Sequence, residues 1–428
     1  MIEVIKDKNE IEDFFKALKK RGNVSSSSYN DVVKEIVSDV SVNKDSALEK
    51  YIKKFDDLNF KIEDIEVSKE EQKKAYDSLS ENMQRILKRS KDRIYDYHLH
   101  QKRETWSYVG RYGERLGQKI TPIENVGVYV PGGKASYPSS VLMNVIPAKV
   151  AGCKSITMVT PCVNGYINPA VLAAAYICDV DHIYKIGGAQ AIAALAYGTE
   201  SVSKVDKIVG PGNIFVALAK REVYGLVGID SIAGPSEICI VADDTSNVNF
   251  LASDLLGQAE HDEMASSTLF ITDYDKALKV KDKVYEYYLT SNRKNILDKS
   301  LTNFSKIIVV SNLDEAINYA NLLAPEHLEL QFDDANKYVD KVLNAGAIFI
   351  GHYSPEALGD YMAGANHVLP TCSTARFSSP LGVDDFIKKS SLIEFDREQT
   401  LKLIEDVDSF ATEEGLMMHA LSARVRRE

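Results

Sequence analysis

Apolar residues recur at helical spacing through the first hundred positions, and then the rhythm changes. Residues 9–20 alternate apolar and charged positions at that spacing and end near Gly22, a typical helix stop. Residues 25–28, four serines, read as a linker. Residues 29–100 read as highly charged amphipathic helix, clearest over 47–55 and 83–89, and look like scaffold. At Asn125 a β-α alternation begins. The pattern predicts strands over 126–130, 155–159, 182–186 and 207–209, and helices over 139–151, 169–178, 189–197 and 214–224. A second set of strands follows near 238–241, 268–272, 307–310 and 347–350, separated by helical segments. Such alternation favours mainly parallel sheets with helices on both faces. After Pro380 the pattern turns helical again, through 400–407 and 413–425. The reading is two α/β units with small helical ends, without an internal repeat.

Length and composition narrow this picture. With 428 residues there is room for about two to four domains, each with its own core. The 51 Lys+Arg against 62 Asp+Glu give a net charge of -11, mild for the length and spread along the chain, which argues against nucleic-acid binding. The first residues mix both signs of charge, unlike a signal peptide, and the longest apolar run, residues 170–178, is about half of a bilayer span. A soluble, cytoplasmic protein with no membrane association is expected. The five cysteines form no Cys-x-x-Cys and sit mostly in apolar surroundings, as buried reduced thiols do.

Candidate chemistry concentrates in a few segments. Gln258 and His261 stand one helical turn apart at the end of an apolar helix, so an amide oxygen and an imidazole could address one cation, half of a metal site. In Pro325-Glu326-His327 a carboxylate and an imidazole adjoin after a proline and could share acid/base work; the alternative is a helix-capping Glu326 and a packed His327. Asp360 is a plausible hard oxygen ligand that would otherwise be a helix cap or ion-pair partner. His367 follows it in a segment of small residues. His419, and Glu414 five positions before it, lie on the last helix, where solvated side chains are the ordinary expectation. Three glycine loops, Pro131-Gly132-Gly133, Gly187-Gly188-Ala189-Gln190 and Gly210-Pro211-Gly212-Asn213, each precede a helical pattern whose free amide groups could hold phosphate; each could equally be a tight turn. The third has Phe215 where the dinucleotide fingerprint wants Gly or Ala, with Asp230 at the offset of a ribose-binding acid.

Taken together, Val126-Gly127-Val128-Tyr129-Val130-Pro131-Gly132-Gly133, Val209-Gly210-Pro211-Gly212-Asn213, Ala233-Gly234-Pro235-Ser236-Glu237, Gln258-Ala259-Glu260-His261-Asp262, Ala324-Pro325-Glu326-His327-Leu328-Glu329 and Asn366-His367-Val368-Leu369-Pro370-Thr371 resemble the histidinol dehydrogenase family. Ala375-Arg376-Phe377-Ser378-Ser379-Pro380 extends the likeness, which runs in order along nearly the whole chain. Glu263 and Ala365 depart from it, standing where proline is expected.

The resemblance implies oxidation of L-histidinol to L-histidine, through the aldehyde, with two molecules of NAD, in the last stage of histidine biosynthesis. It places zinc ligands on Gln258, His261, Asp360 and His419, one ion per subunit, and the acid/base pair on Glu326 and His327. Substrate contacts fall on Ser236, His327, His367 and Glu414 and on the four ligands; NAD contacts fall on Tyr129, Gln190 and Asn213. A homodimer is implied in which the tail crosses over, so that His419 reaches the partner's site. The implied fold resembles the aldehyde dehydrogenase class, one α/β unit inserted in another: a helical segment 1–25, a first α/β domain over 26–128 and 238–381, an inserted one over 129–237, and a helical tail over 382–428. The metal would anchor the substrate while His327 and then Glu326 handle protons. A zinc hydrolase or a non-catalytic nucleotide-binding scaffold are the competing classes, and the glycine loops and the acid/base pair argue against them in turn.

Overall fold

The structure, a computed structural model, describes residues 1–22, 27–132 and 136–428. The chain enters on a short strand, β1 (Glu3–Ile5), followed by helices Lys8–Gly22, Ser27–Phe55, Lys69–Asp77 and Glu81–Leu99. Strands β2 (Trp106–Val109) and β3 (Arg115–Pro122) lead into five parallel strands: β4 (Asn125–Tyr129), β5 (Ser155–Val159), β6 (His182–Tyr184), β7 (Lys207–Val209) and β8 (Gly228–Ile229). A second parallel series follows, β9 (Glu237–Ala242), β10 (Ser266–Ile271), β11 (Lys306–Val309), β12 (His327–Gln331) and β13 (Ala347–Ile350), and β14 (Ile387–Glu394) comes before the last helices. Ser25 and Ser26 of the expected linker, and Gly133 of the first glycine loop, lie outside the described residues; Ser27 already belongs to a helix.

The two parallel sheets share one topology. Their orders are β6-β5-β4-β7-β8 and β11-β10-β9-β12-β13, with β1 added beside β11, so each winds outward in both directions from its first strand. Each therefore has a switch point, between β4 and β7 and between β9 and β12, the arrangement of doubly wound nucleotide-binding sheets. No sequence repeat announces this, because strands buried on both faces need only be apolar. β9 and β10 are buried at every position, and each fully buried Ile or Leu, such as Ile240 or Leu269, contributes about 1.5–3 kcal/mol.

Helices cover both faces of each sheet. Asparagine side chains start several of them by accepting a backbone N–H: Asn168, Asn213, Asn247 and Asn312. On the six-stranded sheet, Phe14 and Ile317 lie on one face and Leu255, Val280 and Leu301 on the other. On the five-stranded sheet, Val37 and Leu48 pack against Leu195 and Leu218, while Leu142, Ala174 and Ile94 cover the opposite face.

The early helices pack on the five-stranded sheet. The helices Ser27–Phe55 and Glu81–Leu99 belong to the cores of the five-stranded sheet, and β4 within the same stretch is one of its strands. An amphipathic stripe shows that a helix packs, not which sheet receives it. The ends of the chain also carry strands: β1 lies in the six-stranded sheet, and β14 forms an antiparallel sheet with β3 and β2 in the order β14-β3-β2.

Candidate active site

Glu326 and His327 sit where the helix Leu313–Leu323 gives way to β12. Ala324 caps that helix in the left-handed conformation, with φ of 50°, and Pro325 cannot continue it. Glu326 therefore caps nothing. Its Oε2 accepts a bond of 2.8 Å from the backbone N–H of Glu237, at the start of the neighbouring strand β9. The Glu237 carbonyl accepts a bond of 2.9 Å from Nδ1 of His327. One residue of β9 thus holds both members of the pair, N–H to the carboxylate and C=O to the imidazole. A carbonyl can only accept, so Nδ1 carries the proton and Nε2 is the basic nitrogen. Nε2 has no partner among the described residues, and the residue is 4% exposed. Close approach is needed here: a Cβ on Gly346 would lie 2.5 Å from the Glu326 carbonyl oxygen.

Burial governs the electrostatics. It pushes the His327 imidazole down to about 4, against the nearby Asp360 charge, so the ring is neutral at physiological pH. Burial drives the Glu326 carboxyl well above the ordinary range, with the Glu237 N–H opposing. Glu237 in turn is ion-paired with Arg21, a buried guanidinium from the first helix that also donates to the Met264 carbonyl at 2.6 Å.

Asp360, at the end of the helix Glu356–Tyr361, faces His367 at 3.4 Å. Burial raises its carboxyl, but the His367 hydrogen bond and the charges of His367, His327 and His261 hold it below the usual value. His261, Asp360 and Glu356 each offer a ligand atom, all within 4.8 Å of one another. Gln258 is fully buried at the end of the helix Val248–Ala259, and the orientation that satisfies its amide sets its NH2 against Glu356 at 2.8 and 3.0 Å. The helix stops at Ala259, so His261 stands in the following turn, its N–H on the Gln258 carbonyl at 3.2 Å, rather than on the same helical face. The His261 imidazole and the Asp360 carboxylate, with the Glu356 carboxyl close by and the Gln258 amide oxygen left over by its contact with Glu356, are N and O donors of the kind that fit zinc.

Glu356 is the residue that the sequence reading missed. It is 6% exposed, follows Pro355 as Glu326 follows Pro325, and lies 3.7 Å from Nδ1 of His327. The repeated Pro-Glu after a strand or helix end is the signal that could have found it. Glu237 and Arg21 were missed for another reason: one acts through its backbone, the other through Glu237.

A cavity of about 1200 Å³ is lined by His327, Asp360 and His367 from one unit and by Asp230 and Ser231, just past β8, from the other. It joins the amino edge of the six-stranded sheet to the carboxyl edge of the five-stranded one. At that second edge, Tyr129 ends β4, and its hydroxyl accepts the Gly188 N–H at 3.1 Å, next to Gln190. Gly210, with φ of 108°, packs so closely that a Cβ would meet the Tyr129 carbonyl oxygen at 2.1 Å. The three glycine loops therefore converge, as far as they are described. Tyr129 and Gln190 are buried, and burial raises the Tyr129 hydroxyl to about 12. Asn213 caps the helix Ile214–Val223 through Phe215 and Val216. Asp230, at the offset of a ribose-binding acid, accepts the Gly210 N–H at 2.8 Å and pairs with buried Lys220.

Other side chains lie apart. Ser236 is half-buried beside Glu237, its carbonyl accepting the Ser266 N–H at 3.0 Å. Glu414, which caps the helix Arg397–Glu413, and His419, on the helix Met417–Arg424, are exposed and do not line the cavity. The cysteines are unpaired among the described residues, and burial pushes the Cys153 and Cys372 thiols to about 11 and Cys178 to about 12, away from nucleophilic use. No described helix is long and apolar enough to cross a membrane.

Comparison with known proteins agrees with this architecture. The family model described as histidinol dehydrogenase matches residues 19–427. A histidinol dehydrogenase of Bacillus cereus is 50% identical over 423 residues, covering 97% of this chain and 98% of the relative. One of Dechloromonas aromatica is 52% identical over 394 residues, 92% of this chain and 91% of the relative. Among solved structures, a histidinol dehydrogenase from Elizabethkingia anophelis matches with a TM-score of 0.93 at 36% identity, covering 100% of this chain and 98% of that one. An acetylating aldehyde dehydrogenase from Geobacillus thermoglucosidasius shares the fold, with a TM-score of 0.50 at 11% identity over 91% of this chain and 96% of that one.

Proposed function

Because the chain belongs to the histidinol dehydrogenase family of oxidoreductases, which serves histidine biosynthesis, we propose that it oxidises L-histidinol to L-histidine by way of the aldehyde, in two hydride transfers to NAD. The observation that carries this reading is the buried Glu326–His327 pair, gripped by Glu237, with Nε2 of the imidazole left without a partner among the described residues. Zinc, when bound, would supply the positive charge that anchors the imidazole and amine of the substrate, and NAD the hydride acceptor.

The chain's own groups do the rest. Gln258, His261, Asp360 and His419 of the partner subunit hold the metal, one ion per subunit, in a homodimer with shared sites. Ser236, His367 and Glu414 contact the substrate alongside them, and Tyr129, Gln190 and Asn213 the dinucleotide. His327, neutral because burial lowers its pKa, takes the hydroxyl proton on Nε2. The same burial makes the Glu326 carboxylate a stronger base, suited to draw a proton from the water that hydrates the aldehyde. His327 then acts as base again for the second oxidation. The reaction runs in the cytoplasm, with neither nucleic acid nor membrane as partner.

Purified protein given histidinol and NAD is expected to release two NADH per substrate, to stop after chelation, and to recover with zinc. Absence of NADH overturns the reading. The hydrolase and scaffold alternatives fall with the family assignment.

A further inference from the structure

We propose that Glu356 is a positioning residue for the candidate cation site: its buried carboxylate takes the NH2 of Gln258 and so leaves that side chain's carbonyl oxygen as the end presented to a metal. This rests on the reading of Gln258 as a ligand. An amide has a donor end and an acceptor end of nearly equal size, and only the acceptor end can bind a cation. Gln258 is fully buried, so its environment decides which end faces inward. With the amide turned so that its nitrogen faces Glu356, both carboxylate oxygens come within hydrogen-bond distance of it, at 2.8 and 3.0 Å. Burial and the neighbouring carboxylates push the Glu356 carboxyl well above its usual range, so the orienting role belongs to the ionised form that a nearby cation favours; that form only accepts, and the opposite amide orientation would set oxygen against oxygen.

Glu356 is itself held. Its backbone N–H donates to Glu329 Oε1 at 2.8 Å, and Pro355 precedes it at the start of the helix that ends with Asp360. One short helix thus carries the proposed anionic ligand and, four residues earlier, the group that orients the neutral one. The unpartnered Nε2 of His327, in a side chain more than nine-tenths buried, marks the adjoining space as a place for a ligand rather than for packing. Groups that orient metal ligands typically account for about 10–100-fold in metal affinity.

The test is the zinc affinity of the full-length metal-free protein, read by competition with a chromophoric chelator, with the melting temperature of each metal-free variant recorded beside it. Glu356→Met is expected to weaken zinc about 10–100-fold. Glu356→Gln, which keeps an acceptor but not the charge, is expected to recover part of that loss. In a Gln258→Ala background the Glu356→Met effect is expected to shrink below about threefold, because the interaction it acts through is gone. If Glu356→Met fails to fold, Glu356→Gln takes its place in the same cycle. Equal losses in both backgrounds overturn the proposal, since Glu356 would then be a ligand itself. Glu356→Gln as weak as Glu356→Met overturns it in favour of bare charge, and unchanged affinity in Glu356→Met overturns it outright. Gln258→Ala binding zinc as tightly as the unaltered protein removes the ligand reading, and the inference with it.

Discussion

At the scale of single residues, the acid/base pair is adjacent in sequence, but its competence comes from elsewhere. His327 is a usable base because Glu237 takes the Nδ1 proton's hydrogen bond and because burial keeps the ring neutral. Glu326→Gln is expected to spare the first oxidation and slow the second by about 10²–10⁴, since only the second needs water activated; single-turnover NADH release from histidinol, compared with that from histidinal, separates the two. An equal loss in both steps would refute the division of labour. Arg21→Met would leave Glu237 buried without its cation, at a cost of about 3–5 kcal/mol, measurable by urea denaturation of the metal-free protein. Arg21 could not be singled out from the sequence, because it works through Glu237.

At the scale of the element, β12 is a strand that the pattern did not predict, and its alternation would mislead about its surroundings. His327, Glu329 and Gln331 alternate with Leu328 and Leu330, a pattern that ordinarily means one wet face and one dry face. Here every position is buried, and the polar face is a network in which Gln331 donates to Glu329 and to Asp254, both at 2.6 Å. Burial and the Asp254 charge push Glu329 up to about 8. The folded state therefore binds a proton that the unfolded chain has lost above its ordinary carboxyl pKa of 4.5, so stability from this group is complete below about 4.5 and drains away as pH rises through 8. His327 works in the opposite direction, costing stability as pH falls from 6.5 to about 4. Glu329→Gln is expected to flatten the fall in melting temperature between about pH 5 and 8 relative to the unaltered protein; an unchanged slope would show that Glu329 is already ionised.

At the scale of the whole molecule, two sheets of the same winding meet across one cavity. The six-stranded sheet contributes its amino edge and the five-stranded sheet its carboxyl edge. Glu414 and His419 stay outside that cavity, on exposed terminal helices that also present Phe410 and Met418, 70% and 71% exposed. If the tail completes the partner's site, His261→Asn and His419→Asn are each inactive alone, yet mixed dimers regain one intact site. Co-expression should then restore activity to about a quarter of the normal level, as expected for a two-fold dimer assembled at random. No restoration, or an active monomer, would break the assignment of His419.

The sequence by itself determined the two α/β units, eight of the fourteen described strands within a few residues, and the family, because strand burial, helix caps and loop motifs are local properties. Strands such as 155–159, 207–209 and 347–350 lie where the pattern placed them. Tertiary structure alone decided which sheet the early helices cover, that the polar face of β12 is buried, that Asp230 braces the Gly210 loop, and that Glu237, Glu356 and Arg21 surround the acid/base pair. Those are contacts between positions from 20 to 216 residues apart. Spacing along a chain says which side chains share a face, whereas only packing says what that face meets.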